Sequence, residues 1–248
     1  MRRRFFVDRF ENGRASMRGD TAHHLGRVLR AQPGQLYELS DGASVWLGRI
    51  DTVDRDRVDF SLIEQILGEA PQLHITLLFS MIKFDAFEWG LEKATELGVS
   101  RIVPLAAARS EKGLLTAAAK RAARWNKILM ESAQQCRRVQ LPTLHSVAKP
   151  AIAFAAASEG LRIFLSESSE TPPLRSVLAG TRHSDVTLAI GPEGGWTDDE
   201  RTTAQGYDFL EASLGKLILR AETAVVASLA ILNFALAPAE SVTHGTHS

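Results

Sequence analysis

Residues 68–79 read GEAPQLHITLLF, and the chain changes character across them. Gly68 frees the backbone and Pro71 removes a backbone donor, so neither helix nor sheet ladder passes through. LHITLLF (73–79) is then an unbroken apolar run of strand length, the pattern of a strand buried on both faces of a parallel sheet. The break predicts two domains, 1–70 and 71–248.

Upstream, the segments RRFFV (3–7), GQLYELSD (34–41), SVWLGRIDTVD (44–54) and RVDFSLIEQI (57–66) alternate as half-buried strands do. Turn signals stand at Asn12-Gly13, Pro33-Gly34 and Asp41-Gly42. Short strands and close turns predict a small β-barrel. One helix interrupts it, with Asp20 as cap and Ala22, Leu25, Val28 and Leu29 along one face.

Downstream, strands and helices take turns. Asp85 is placed to cap a helix carrying Phe87, Leu91, Ala94 and Leu97 at helical spacing, with Gly98 ending it. VSRIVPL (99–105) follows as a strand. A long helix over about Thr116–Cys136 turns Ala118, Ala122, Trp125, Leu129 and Ala133 inward. Further strands are LRIFL (161–165), VTLAI (186–190) and YDFLEAS (207–213), with helices near 150–158, 197–205 and 222–236. This order predicts an α/β domain with a parallel sheet. Ligands of such sheets bind beyond the carboxyl ends of strands, which directs attention to the loops after Leu165, Ile190 and Leu214.

Composition narrows the function classes. The 248 residues are 45% hydrophobic and 23% charged, the balance of an ordinary globular chain. Cys136 is the single cysteine, so no internal disulfide forms, and no Cys/His cluster has zinc spacing. The apolar segment 224–239 falls short of a membrane span, and charges interrupt the basic N-terminus before any signal-length apolar stretch. A cytoplasmic protein without metal or membrane partner is the expectation. The 29 basic and 29 acidic residues cancel, yet residues 1–30 hold eight arginines against three acids and residues 101–149 hold ten basic residues against two acids. Such blocks attract phosphates if they share a surface, and are otherwise solvated faces.

Ile190-Gly191-Pro192-Glu193-Gly194-Gly195-Trp196 runs a buried strand into three glycines, and Thr197 and Glu200 then fit a capping box. The string matches neither phosphate-binding glycine motif, and no lysine follows. Glu193, Asp198, Asp199 and Glu200 crowd the helix N-terminus that a phosphate would need. The loop is either a tight structural turn or a seat for a neutral or cationic ligand. A second loop, LGKLILRAETA (214–224), places Leu217, Ile218 and Leu219 where polar turn residues are expected. They wall a flat ligand, or Leu217 and Leu219 pack under the sheet while Arg220 and Glu222 pair with each other.

Taken in order, RFFV, HHLGRVLR, EKATELGVSRIVPL, SAQQCRR, IGPEGGWTDDE and LGKLILRAETA resemble the bacterial ribosomal RNA small subunit methyltransferase E family across nearly the whole chain. The resemblance implies a SPOUT-class domain with a trefoil knot behind a PUA-like β-barrel. It also implies a homodimer that uses S-adenosyl-L-methionine to methylate N3 of a uridine in small-subunit (16S) ribosomal RNA, free or within the assembled subunit. Its cofactor loops would be Leu165, Ser166 and Glu167; Gly191, Glu193, Gly194 and Gly195; and Leu214, Gly215, Ile218, Leu219 and Arg220. Two positions depart from the family pattern: Gln134 in QQCRR, and Leu217 where a basic residue is common.

Within that resemblance Arg220 would stabilise the uracil anion and Glu222 would assist loss of the N3 proton. RNA would lie on Arg2, Arg3, Arg4, Arg27 and Arg30 of the barrel and on Arg121, Arg124, Arg137 and Arg138 of the basic helix. The rivals are a non-catalytic RNA-binding module with a structural glycine loop, and a nucleotide-using enzyme.

Overall fold

Alternating apolar residues in the N-terminal segments produce five strands: β1 (Arg4–Phe6), β2 (Arg14–Arg18), β3 (Leu36–Ser40), β4 (Val45–Val53) and β5 (Arg57–Ile66). The computed structural model describes residues 3–67, 72–157, 159–168 and 170–237. The strands form one mixed sheet in the order β1-β3-β4-β5-β2, with β1 parallel to β3 and the other neighbours antiparallel. Two register shifts between β4 and β5 curl it, as bulges do. Its concave side closes on Phe5, Met17, Leu39, Ile50, Val58 and Phe60. Strand β2 has too few apolar residues to read as a strand in isolation; Ala15 and Met17 alone face the core.

The helix expected after Asp20 is half of one. α1 (Gly19–His23) gives way to a π turn over His24–Val28. Ala22 and Leu25 are buried as expected, but the wider π turn rotates Val28 away, and it is 61% exposed. Asp20 lies in the first helical turn and caps nothing.

Six strands build the second sheet: β6 (His74–Ser80), β7 (Arg101–Leu105), β8 (Thr143–Leu144), β9 (Leu161–Leu165), β10 (Asp185–Ile190) and β11 (Leu210–Ala212). Their order is β11-β9-β10-β6-β7-β8, and every neighbouring pair is parallel. The central strands are buried on both faces, which explains the unbroken apolar run of β6. Among the described residues six helices accompany them: α2 (Phe84–Glu96), α3 (Lys112–Gln135), α4 (Pro150–Ala155), α5 (Leu174–Leu178), α6 (Asp198–Gly206) and α7 (Ala221–Leu236). In α2 the residues Phe87, Leu91 and Ala94 are fully buried, and Asp85 sits inside the first turn behind Lys83 as cap. In α3 the expected inward residues are buried except Ala122, which is exposed.

By contacts the chain divides into Met1–Ala70 with Ala123–Pro142, and Pro71–Ala122 with Thr143–Ser248. Residues 123–142 join the first unit through β3. Glu38 accepts from Arg4 and from Arg137, and Ser40 Oγ donates to the Val139 carbonyl at 2.7 Å.

Candidate active site

Strands β9, β10 and β11 lie side by side, so parallel pairing brings the loops at their carboxyl ends together. Those loops enclose a cavity of about 760 Å³. Leu165, Ser166, Glu167, Gly191, Glu193, Gly194, Gly195, Leu214, Gly215, Ile218, Leu219, Arg220 and Glu222 all line it. The volume falls in the range of small-molecule sites.

Local chemistry holds the glycine loop. Trp196 stacks on Phe164 at 4.7 Å between ring centres and donates from Nε1 to the Leu165 carbonyl at 2.9 Å. This fastens the end of the loop to the end of β9. A Cβ on Gly191 would stand 2.9 Å from that same indole nitrogen, so the first glycine is required by close approach. Gly195 has φ of +70° and donates to the Pro192 carbonyl at 2.8 Å, closing the turn. Both halves of the capping box form: Glu200 N–H donates to Thr197 Oγ1, and Thr197 N–H donates to Glu200 Oε2 at 2.9 Å. Glu200 also accepts from the Ala108 N–H at 2.8 Å, and Arg109 donates to the Gly194 carbonyl at 2.8 Å. The loop after β7 therefore clasps the loop after β10.

The second loop presents Leu217 and Ile218, while Leu219 is half-buried. Leu217 is 81% exposed and Ile218 78%, so neither packs under the sheet. Arg220 is exposed at the N-cap of α7, and it forms no ion pair with Glu222 among the described residues. Glu222 Oε2 is buried with no hydrogen-bond partner among the described residues. A carboxylate oxygen out of water and unpaired is costly, and it marks a place where a bound group completes the set.

Lys83, Asp85 and Arg109 also line the cavity, and sequence reasoning missed them. They follow the carboxyl ends of β6 and β7. Extending the strand-end argument to those two strands finds all three. The site thus offers an apolar wall, close backbone and charges of both signs. Acids occupy the first turn of α6, so a phosphate is disfavoured there, while a flat ring bearing a cationic centre suits it.

Comparison with known proteins agrees with this geometry. Residues 69–233 match the family described as RNA methyltransferase domain, and residues 18–63 match the RNA methyltransferase PUA domain. The ribosomal RNA small subunit methyltransferase E of Synechocystis sp. is 34% identical over 85% of this chain and 70% of its own. The chain belongs to the ribosomal RNA small subunit methyltransferase E family. Its Bacillus subtilis namesake is 28% identical over 88% of this chain and 89% of that one. The crystal structure of the methyltransferase E from Neisseria gonorrhoeae bound to S-adenosyl methionine superposes with a TM-score of 0.85, at 27% identity, covering 95% of this chain and 98% of that chain. A methyltransferase from Legionella pneumophila in complex with the same cofactor gives 0.86 at 28% identity, covering 96% and 100%.

The arginines expected to meet RNA in this family member are placed unequally. Arg2 lies outside the described residues. Arg3, Arg27, Arg30 and Arg124 are exposed. Arg4 is buried, with its charge on Glu38 at 2.9 Å and a further hydrogen bond to the Arg137 carbonyl. Arg137 also binds Glu38. Arg138 donates to the Gln140 carbonyl at 3.1 Å; burial pushes its pKa down, opposed by the nearby Cys136. Arg121 pairs with Glu88 at 3.0 Å and lies over the Phe84 ring at 4.4 Å. No helix among the described residues is long and apolar enough to cross a membrane, and no metal-binding group occurs among them.

Proposed function

We propose that this chain uses S-adenosyl-L-methionine to methylate N3 of a uridine in small-subunit ribosomal RNA. The observation that carries the proposal is the unpartnered Glu222 Oε2 beside Arg220 and the glycine loop in one cavity. Family membership and the two cofactor-bound neighbours support the choice of cofactor. Leu165–Glu167, Gly191–Gly195 and Leu214–Arg220 would hold it, with Leu217–Leu219 against its flat base and the acids of the site near its positive sulfur. When bound, S-adenosylmethionine supplies an electrophilic methyl group.

The rest of the chemistry falls to the protein. Uridine N3–H is weakly acidic, so its proton must leave and the resulting uracil anion must be stabilised. Glu222 accepts the proton, directly or through water, and Arg220 donates hydrogen bonds to a uracil carbonyl oxygen, where the charge gathers. The loops position the two reactants, which removes much of the entropic barrier. The target uridine is unpaired, because N3 lies on the pairing edge.

The domain roles follow from the same reading. Residues 1–70 serve as a PUA-like RNA-binding barrel, with Arg3, Arg27 and Arg30 toward RNA, and 71–248 as a knotted SPOUT methyltransferase domain. Ile231 and Phe234, exposed three residues apart on α7, support a homodimer through that helix. Ribosomal RNA as substrate points to the cytoplasm.

Calorimetric titration with S-adenosylmethionine, with ATP as control, tests the cofactor assignment. Wild type is expected to bind the former alone. Gly194→Val is expected to lose it, since a Cβ at Gly194 already meets the Arg109 side chain at 3.2 Å. Folded wild type that binds neither ligand, yet binds RNA, returns the chain to a non-catalytic RNA-binding module.

A further inference from the structure

A second cleft, of about 780 Å³, opens on the first unit around β2 and the loop before it. Four arginines line it: Arg9, Arg14, Arg18 and Arg57. Strand alternation sends Ala15 and Met17 into the core and leaves Arg14, Ser16 and Arg18 on the other face. Arg14 and Arg18 are four residues apart along the strand, about 13 Å at the rise of an extended chain, so they reach different groups on a ligand.

The charges here are arranged, not scattered. Asp59 accepts from Ser16 Oγ across the strand pair at 2.5 Å and from Arg57 Nε along its own strand at 2.8 Å, which fixes that guanidinium. Arg9 pairs with Glu11 at 2.8 Å. Arg14 and Arg18 have no ion-pair partner among the described residues. Asp8 is the remaining acid in the lining. Arg18 stands directly opposite Arg57 in the β2–β5 register; Arg57 gives its charge to Asp59, and Arg18 pairs with no acid among the described residues.

The backbone adds a donor. Strand β2 ends the sheet, and Leu62 N–H donates to the Gly13 carbonyl at 2.8 Å. Gly13, Ala15 and Met17 are therefore the residues hydrogen-bonded to β5, and the main-chain N–H of Ser16 faces the open edge.

We infer that Arg14, Arg18 and the Ser16 edge form a phosphate-binding track that grips the backbone of the RNA substrate. The ligand class rests on the reading of the chain as an enzyme acting on ribosomal RNA; the track itself rests on Arg14 and Arg18, two guanidinium groups on one face of β2 with no ion-pair partner among the described residues. Guanidinium groups bind phosphate oxygens bidentately, and such contacts carry affinity without sequence preference.

The test uses the full chain and a labelled small-subunit ribosomal RNA fragment, with binding read by fluorescence anisotropy over a range of KCl. The double variant Arg14→Gln/Arg18→Gln is compared with Arg49→Gln/Arg55→Gln, which removes equal charge from exposed positions outside the cleft. Loss of two phosphate contacts lowers the log–log salt slope by roughly 1.4 to 1.8 and weakens binding roughly tenfold at moderate salt. Methyl transfer at saturating RNA stays unchanged, and the control pair stays within about twofold of wild type. Equal slopes in wild type and Arg14→Gln/Arg18→Gln overturn the track and leave its arginines as guards against strand addition. An equal loss in the control pair overturns it too, by making net charge the cause. Wild type that binds no RNA overturns the track together with the ribosomal RNA reading.

Discussion

In the first unit Arg4 and Glu38, 34 positions apart in sequence, meet at 2.9 Å with 7% of each side chain exposed. In the second unit Arg220 and Glu222 are two positions apart and form no ion pair. Residues i and i+2 at a helix start point different ways, so closeness in sequence creates no contact there. Glu38 is saturated instead, taking bonds from Arg4 and Arg137. A buried couple of that kind survives only when its hydrogen bonds are complete. Glu222 keeps one oxygen buried and unbonded. The same two residue types serve structure where every bond is made, and are available to a ligand where one is withheld.

The contrast fails if the two couples exchange roles under mutation. Glu222→Gln is expected to lower kcat for methyl transfer by about 10²- to 10⁴-fold, and Arg220→Ala by about 10²- to 10³-fold. Neither should lower the denaturation midpoint, because neither breaks a bond made in the folded chain. Near-normal turnover in both variants removes the assignment. Glu38→Ala should do the reverse. It strands the buried Arg4 and lowers the unfolding free energy by about 3–5 kcal/mol, while kcat per folded molecule holds. A stable Glu38→Ala chain with lost activity would mean that Glu38 acts on the reaction.

How far each couple was legible in the sequence follows from its range. The glycine loop and the Thr197–Glu200 capping box are local patterns, written within eleven residues, and they form as read. The three loops after Leu165, Ile190 and Leu214 were legible because parallel pairing is a rule of the sheet, and the family resemblance supplied the thirteen residues within them. Arg4 resisted reading for the opposite reason. Its partner lies on another strand, and a run of three arginines after Met1 looks solvent-facing until β1 pairs with β3. Residues 123–142 resisted likewise, since Glu38 and Ser40, which bind them, are remote in sequence. Val28 needed the π turn, an extra residue per turn that no apolar spacing announces.

A smaller effect sharpens the local side of the comparison. Thr197→Ala removes the side-chain cap of α6 and should lower stability by about 1 kcal/mol, a shift of roughly 2–4 °C in Tm for a chain of this size. Glu200→Ala should cost more than Thr197→Ala, and should also weaken S-adenosylmethionine binding. It releases the Ala108 N–H as well as the cap, so two loops of the site lose their tie. Equal effects of the two substitutions on calorimetric affinity would show that the clasp does not shape the cavity.

The smallest effect is an acid-side dependence on pH carried by two carboxyls of the first unit. For Asp59, burial alone raises the pKa, but hydrogen bonds from Ser16, Arg57 and Thr52 outweigh it and hold the carboxyl below its usual value. For Asp41, burial again acts upward and is outweighed by the N–H groups of Ser44 and Ala43 in the β3–β4 turn. A carboxyl whose folded pKa is depressed contributes stability above its unfolded pKa, about 3.9, and loses that contribution as pH falls through the lower folded value. Denaturation between about pH 5 and pH 2 should therefore show falling stability in wild type and a shallower fall in Asp59→Asn. Parallel pH curves for wild type and Asp59→Asn would show that Asp59 ionises no more readily in the folded chain than in the unfolded one.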